Sequence, residues 1–194
     1  PTADRHPHDV AVDAAKQLKK RGGWLIVDEA FIDPTPAESL APLAGSEEAP
    51  NLIVFRSLGK FFGLAGARVG FLFAAPELLS RMAEAIGPWA VAGPSREAAR
   101  LALQDSIWQK QARHTLQQSS QRLHTLLEPL GETKSCALFA TLSAQDSQGL
   151  HEFLARQAIL TRHFDQQGLI RFGLPADETA WQRLAQALDA WSKT

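Results

Sequence analysis

The chain has 194 residues, 45% of them hydrophobic and 21% charged, which is typical of a globular protein with a buried core. Twenty basic residues against 21 acidic ones give a formal net charge of -1 without any Lys/Arg-rich tract, which argues against nucleic acid or an anionic membrane as a partner. No apolar run approaches the roughly 20 residues of a membrane-spanning helix, and the single cysteine, Cys136, excludes an internal disulfide. We therefore expect a cytoplasmic protein.

The first half of the chain alternates helix and strand signals. Apolar residues at helical spacing predict a helix over 8–20. Short continuous apolar runs at 24–27 and 52–55 predict strands buried on both faces, and 69–73 predicts a third strand. Prolines and glycines make 34–50 a long loop. This order of elements predicts an α/β sheet.

The second half is mostly helical and then changes character. Pro76 opens a helix, and 94–130 has a helical pattern with a break near 104–105. Pro129 and Gly131 end that pattern and suggest a domain boundary. The remaining residues predict a strand, a helix, two strands and a closing helix, in that order, at 136–142, 149–157, 159–162, 169–172 and 181–191.

Polar residues follow two of the predicted buried strands. Asp28-Glu29-Ala30-Phe31 follows the first, and Ser57-Leu58-Gly59-Lys60 follows the second. Ligands bind at the carboxyl ends of strands in open α/β sheets. A third segment, Gly66-Ala67-Arg68, lies just before the next strand. We therefore expect these three segments to contribute to one site.

The residue types in these segments match the needs of pyridoxal 5'-phosphate (PLP). PLP requires an amine that forms a Schiff base, an anion beside the pyridine nitrogen and a cradle for the phosphate. Lys60 can supply the amine, and Asp28 the anion, because a nearby carboxylate favours the protonated pyridinium. Ser57 and Arg68 can bind the phosphate, the arginine through charge-assisted forked contacts.

The pattern resembles the fold-type I PLP-dependent aminotransferase family (class I/II), in its histidinol-phosphate aminotransferase-like branch. Asp28-x-Ala30-Phe31, Ser57-x-x-Lys60 and an arginine eight residues after that lysine carry the resemblance. It implies the α/β PLP-transferase fold, with the second half of the large, mostly parallel-sheet domain over 1–128 and a small α+β C-terminal domain over 129–194. It also implies a homodimer for the full-length protein.

The resemblance also implies roles for two arginines and for one aromatic residue. Arg171, in Leu169-Ile170-Arg171-Phe172-Gly173, matches the arginine for the substrate α-carboxylate, and Arg162 matches one that contacts substrate phosphate. Phe31, as a PLP-binding residue, stands where aminotransferases usually carry a tyrosine that is hydrogen-bonded to the PLP 3'-oxygen. Gly87-Pro88-Trp89-Ala90-Val91 looks like the decarboxylase version of its region. Within the branch, the chain most resembles the threonine-phosphate decarboxylases of cobalamin biosynthesis.

That resemblance implies a lyase that converts L-threonine O-3-phosphate, a small phosphorylated amino acid, to aminopropanol phosphate. A histidinol-phosphate-type aminotransferase is the alternative. Pro1-Thr2 resembles the last two residues of the family's Asn-Pro-Thr motif, which would place the family's N-terminal part before residue 1. A second alternative is therefore that this chain alone has no catalysis of its own, and we expect it to bind PLP weakly.

Simpler structural roles exist for the same residues. Taken singly, Lys60 would be a solvated surface lysine, Ser57 a hydroxyl that satisfies turn backbone, and Arg171 a strand arginine paired with an acid. Their joint spacing favours the functional roles. No metal site is expected, because His151-Glu152 begins a zinc-protease motif but Ala155 stands where its second histidine belongs.

Overall fold

A computed structural model describes residues 6–193, so the Pro1-Thr2 resemblance lies outside the described residues. The chain forms two compact units, Pro1–Ser106 and Ile107–Thr194. These units divide earlier than the sequence-based boundary at 128/129, because the helix that precedes this boundary buries Leu123 and Leu127 in the core of the second unit. The 128/129 boundary between family domains stays a prediction.

The first unit contains three helices and three strands, with two short 3-10 turns in the 34–50 loop. In chain order these elements are α1 (Pro7–Lys19), β1 (Leu25–Asp28), β2 (Leu52–Ser57), β3 (Gly70–Phe73), α2 (Pro76–Ile86) and α3 (Gly93–Gln104). Helix α1 begins at Pro7, whose fixed φ suits a first helical position, and the His6 side chain caps it by accepting a hydrogen bond from the His8 N–H at 3.3 Å.

The first unit's sheet has the order β1-β2-β3. Strands β1 and β2 are parallel, with register from Leu25↔Leu52 to Asp28↔Phe55. Strand β3 runs antiparallel to β2. The stretch between β2 and β3 contains no α-helix, and a parallel return requires a longer crossover that usually contains one. The sequence predicts a mostly parallel sheet. The described part of this sheet has one parallel pair of strands and one antiparallel pair.

Only one face of this sheet is buried. Apolar residues of α1, the 34–50 loop and β2 form its core: Ala11, Ala15, Leu40, Ala49, Leu52 and Val54. On the opposite face Ile26 is 62% exposed and Phe55 is 43% exposed. The expectation that β1 and β2 are buried on both faces is therefore wrong for this chain. Within residues 6–193, β1 is an edge strand, with a hydrogen-bonded neighbour on one side only.

The second unit is an antiparallel sheet with helices against it. Its elements are α4 (Ser106–Leu127), β4 (Glu132–Cys136), β5 (Phe139–Ser143), α5 (Ser147–Arg156), β6 (Arg162–Phe164), β7 (Leu169–Gly173) and α6 (Glu178–Trp191). The strand order is β4-β5-β7-β6. The single strand expected over 136–142 is in fact the end of one strand and most of the next, because a turn at Ala137-Leu138 separates β4 from β5.

The core of the second unit lies between this sheet and helices α4, α5 and α6. Leu142 and Ile170 are fully buried on the helix-covered face. Because side chains alternate along a strand, Thr141 and Arg171 lie on the other face, where they are register partners. Within residues 6–193 no helix combines the length and the apolar character needed to cross a bilayer.

We expect Leu142→Ala to lower the free energy of unfolding by about 2–5 kcal/mol, because it leaves a cavity at a fully buried position of the central strand β5. Ser143→Ala, on the exposed side of the same strand, is the matched control and should change stability by less than about 0.5 kcal/mol. Urea unfolding of both variants measures the difference. Equal losses would contradict the assigned core.

Candidate active site

The predicted site residues of the first unit lie at one edge of its sheet. Asp28 is the last residue of β1, and Ser57 is the last residue of β2. The two strands are parallel, and the Glu29 N–H continues their ladder by donating to the Phe55 carbonyl at 2.8 Å. Parallel strands finish at the same edge, so both side chains lie at the carboxyl edge, where ligands bind in α/β sheets.

Lys60 lies on a tight turn after β2. The Gly63 N–H donates to the Lys60 carbonyl at 3.1 Å, and the Leu64 N–H donates to the Leu58 carbonyl at 2.9 Å. Leu58, Phe61 and Phe62 are buried, and the two phenyl rings meet edge to face with centroids 5.0 Å apart. Hydrophobic contacts therefore anchor the turn on both sides of Lys60, while the lysine side chain stays exposed.

The Lys60 amine has an aromatic neighbour and no carboxylate partner within residues 6–193. Its Nζ lies 5.4 Å from the centroid of the Phe31 ring, within range of a cation–π contact. Phe31 is three residues beyond Asp28, so this contact connects the segment after β1 to the turn after β2. An accessible amine that is not held in an ion pair can form a covalent bond to a carbonyl group.

The carboxylate of Asp28 is only partly satisfied by the described chain. Its Oδ1 accepts a hydrogen bond from the Ala30 N–H at 2.9 Å, which fixes the side chain in an Asx-type turn. Its second oxygen has no donor among residues 6–193. Asp28 is therefore oriented by one oxygen and has the other available for a ligand N–H.

Ser57 and Arg68 supply hydrogen-bond donors at the same end of the sheet. The Ser57 hydroxyl has no protein partner in the described chain. Arg68 has a left-handed backbone with φ 54°, uncommon for a residue other than glycine, and one guanidinium N–H donates to the Ala65 carbonyl at 3.3 Å. Its other N–H groups have no acceptor within residues 6–193. Ser57, Lys60 and Arg68 as donors, with Asp28 as acceptor, fit a phosphate-bearing pyridinium carbonyl compound such as PLP.

Sequence reasoning missed the buried carboxylates that hold this edge together. Glu29 is 5% exposed and accepts hydrogen bonds from the Ser39 hydroxyl at 2.6 Å and the Leu40 N–H at 2.5 Å. Asp33, also buried, pairs with Arg56 of β2. The available signal was an acid that immediately follows Asp28 and an arginine that immediately precedes Ser57, each directed to the other face of its strand.

Arg162 and Arg171 lie in the second unit and face the same side of its sheet. They are register partners on the antiparallel strands β6 and β7. The ring of Phe164 lies near both guanidinium carbons, 5.6 Å from that of Arg162 and 5.9 Å from that of Arg171. Neither guanidinium has a carboxylate partner in the described part of the chain. Adjacent unpaired guanidiniums form a binding surface for anions.

Together, the fold and the first-unit site define an α/β protein of the fold-type I PLP-transferase class. The chain belongs to the aminotransferase class I and II family, whose sequence profile matches residues 1–188. This match confirms the family membership and the fold class expected from the motifs.

Three relatives represent two activities. The chain is 51% identical over 174 residues to the threonine-phosphate decarboxylase of Pseudomonas aeruginosa, a match that covers 89% of this chain and 52% of that protein. It is 38% identical to that of a Sinorhizobium species, over 94% of this chain and 54% of that protein. Identity to histidinol-phosphate aminotransferase 1 of Legionella pneumophila is 32%, over 75% and 41% of the two chains. The chain thus spans about half the length of the curated decarboxylases it matches.

Solved structures support the fold. The histidinol-phosphate aminotransferase of Clostridium acetobutylicum superposes with a TM-score of 0.81 at 20% identity, over 94% of this chain and 58% of that one. The histidinol-phosphate aminotransferase of Sinorhizobium meliloti, solved in complex with PLP, superposes with a TM-score of 0.74 at 22% identity. The match covers 87% of this chain and 50% of that one. The cofactor expected from the sequence is the one that this structure contains.

We expect Asp33 and Arg56 to be energetically coupled, because the Arg56 guanidinium donates a hydrogen bond to the buried carboxylate of Asp33. In a double-mutant cycle with Asp33→Asn and Arg56→Gln, the coupling energy should be about 0.5–3 kcal/mol in urea unfolding. The matched control is the exposed Glu97–Arg100 pair of α3, where the arginine hydrogen bond lowers the pKa of Glu97. Solvent screening should make that coupling clearly weaker. Equal coupling energies in the two pairs would contradict the conclusion that the Asp33–Arg56 pair holds the carboxyl edge of the sheet together.

Proposed function

We propose that the protein is a PLP-dependent decarboxylase that acts on L-threonine O-3-phosphate and yields aminopropanol phosphate for cobalamin biosynthesis. The observation that carries the proposal is the pair of guanidiniums of Arg162 and Arg171, which have no carboxylate partner among residues 6–193. This substrate bears two anionic groups, a phosphate and an α-carboxylate. The 51% identity to the Pseudomonas aeruginosa decarboxylase supports the same assignment.

Five residues of the first unit are proposed to hold the cofactor. Lys60 binds it covalently through Nζ, and Ser57 and Arg68 donate hydrogen bonds to its phosphate. Asp28 keeps a proton on the pyridine nitrogen, because a carboxylate beside that nitrogen favours its charged form. When bound, PLP supplies an electron sink for a bond broken at the substrate's Cα. Phe31 packs against this group and has no hydroxyl to offer its 3'-oxygen.

The protein's own residues then determine which bond breaks. Arg162 and Arg171 are proposed to share the substrate's phosphate and α-carboxylate, and which arginine binds which group would decide the bond that breaks at Cα. The substrate's amino group would replace Lys60 on the cofactor and so free Nζ as an amine, which would deliver to Cα the proton that replaces the lost CO2. If the arginines favoured cleavage of the Cα–H bond instead, the carboxylate would be retained and the protein would transaminate.

The runner-up is therefore a histidinol-phosphate-type aminotransferase. The Legionella pneumophila relative, at 32% identity, supports it. Histidinol phosphate has a phosphate but no carboxylate, so two arginines would meet two anions only when a dicarboxylic amino donor is bound. The higher identity to decarboxylases favours the first proposal. A homodimer and a cytoplasmic location remain predictions for the full-length protein.

We expect Lys60→Ala to abolish the visible absorbance band that lysine-bound PLP produces, because the substitution removes the amine. The control is Lys16→Ala, which changes an exposed lysine of α1 and should leave the band intact. Absorbance spectra after PLP addition and borohydride reduction, with mass spectrometry of the modified peptide, measure the outcome. A band in Lys60→Ala would contradict the assignment. No band in the unmodified chain would favour the alternative that this chain alone has no catalysis.

Decarboxylation and transamination can be separated in one assay of the full-length protein. With PLP and L-threonine O-3-phosphate, we expect CO2 release and formation of aminopropanol phosphate without any need for a keto acid. Amino transfer that depends on 2-oxoglutarate, with no CO2 released, would overturn the decarboxylase proposal in favour of the aminotransferase.

A further inference from the structure

Strand β6, which carries Arg162, is short and lies at an edge of the second unit's sheet. It has three residues and pairs only with β7 among the described strands. A strand of three residues that is hydrogen-bonded on one side only is weakly held in position, and such an edge strand can twist or fray. An arginine that recognises phosphate by forked hydrogen bonds must be held within about 0.5 Å of its working position. Arg162 therefore requires support beyond the sheet.

Two hydrogen bonds from helix α5 provide such support on both sides of Arg162. His151 Nδ1 lies 2.7 Å from the hydroxyl of Thr161, the residue before the arginine. The Ser147 hydroxyl lies 3.0 Å from Nε2 of His163, the residue after it. Both contacts are partly buried, so they compete less with water than exposed ones do.

The two imidazoles also contact each other. The rings of His151 and His163 are stacked, with centroids 5.6 Å apart and planes inclined by 18°. One ring belongs to α5 and the other to β6, so the stack joins helix and strand between the two hydrogen bonds. We refer to Ser147, His151, Thr161 and His163 as the histidine clamp.

The clamp fixes the direction of Arg162 through strand alternation. Thr161 and His163 are both directed to α5, so the residue between them is directed to the opposite face of the sheet. On that face Arg162 pairs in register with Arg171 and lies near the ring of Phe164. A rotation of β6 that released the clamp would move the guanidinium of Arg162 away from that of Arg171.

We infer that the histidine clamp positions Arg162 for the substrate phosphate and thereby determines the preference for phosphorylated over unphosphorylated amino acids. This inference rests on the proposed function, in which Arg162 contacts an anion of the substrate. The clamp residues are positioning residues, because they act through Arg162. Their loss should weaken phosphate binding and leave the chemistry at Cα unchanged.

The test compares clamp variants of the full-length holoenzyme with O-phosphothreonine and with threonine as substrates. His151→Leu removes one hydrogen bond and the stack, and Thr161→Val removes the hydroxyl at nearly constant volume. For both we expect KM for O-phosphothreonine to rise about tenfold, as for the loss of a charge-assisted hydrogen bond. We expect kcat to change less than about twofold and turnover of threonine to be unaffected. His151→Asn retains a polar group near the Nδ1 position and should restore much of the affinity.

The chain offers a matched control for the clamp. His124 Nδ1 lies 3.0 Å from the Ser135 hydroxyl, which is the same chemistry between α4 and β4, far along the sheet from β6. His124→Leu should leave both substrates unaffected. The inference is overturned if clamp variants keep the wild-type KM for O-phosphothreonine, or if kcat falls equally with both substrates. A wild-type enzyme without preference for O-phosphothreonine over threonine would instead overturn the proposed function.

Discussion

The parallel register between β1 and β2 is the constraint on which the first-unit site depends. Side chains alternate along a strand, so a slip of one residue would turn Asp28 away from the face that it shares with Ser57. Asn51 fixes this register from the opposite end of the strands. Its buried Nδ2 donates to the Ala15 carbonyl at 2.9 Å and to the Gly23 carbonyl at 2.8 Å. One amide thus joins α1, the turn before β1 and the start of β2.

Because of the same alternation, the proposed cofactor-binding side chains and the side chains that stabilise the carboxyl edge lie on opposite faces of the sheet. Asp28 and Ser57 are directed to the face where the cofactor is proposed to bind, and their chain neighbours Glu29 and Arg56 are directed to the 34–50 loop. At the end of each strand, two neighbouring residues therefore differ in role: one is proposed to bind the cofactor, and the other forms contacts on the opposite face of the sheet. The buried ion pair between Arg56 and Asp33 connects the segment that follows Asp28 to the strand that leads to Lys60. Movement of either strand end would break this pair and remove the Arg56 contact of the buried Asp33 carboxylate.

Local patterns predicted most of the elements, whereas contacts between residues distant in sequence escaped prediction. Short-range signals include the apolar runs that predict β1 and β2, and the spacing from Ser57 to Lys60. The exposure of Ile26 depends on which elements cover a sheet face, and the Asp33 pair joins residues whose spacing follows no local period. The clamp histidines escaped for the same reason: the stacking of His151 on His163 requires α5 and β6 to be packed together.

Under the proposed function, the choice between the two reactions would be made outside the lysine–aspartate pair. Lys60 and Asp28 would serve decarboxylation and transamination equally, because both reactions need the same amine and the same ring charge. What differs is the bond that breaks at the substrate's Cα, and this would depend on the groups that bind the substrate's anions. By contrast, Lys134 of strand β4 is paired with Glu132 of the same strand at 3.0 Å. Arg162 and Arg171, which have no acid partner within residues 6–193, can exert that control. Under the proposed function, reaction specificity would therefore depend on the placement of these two arginines and not on the cofactor residues.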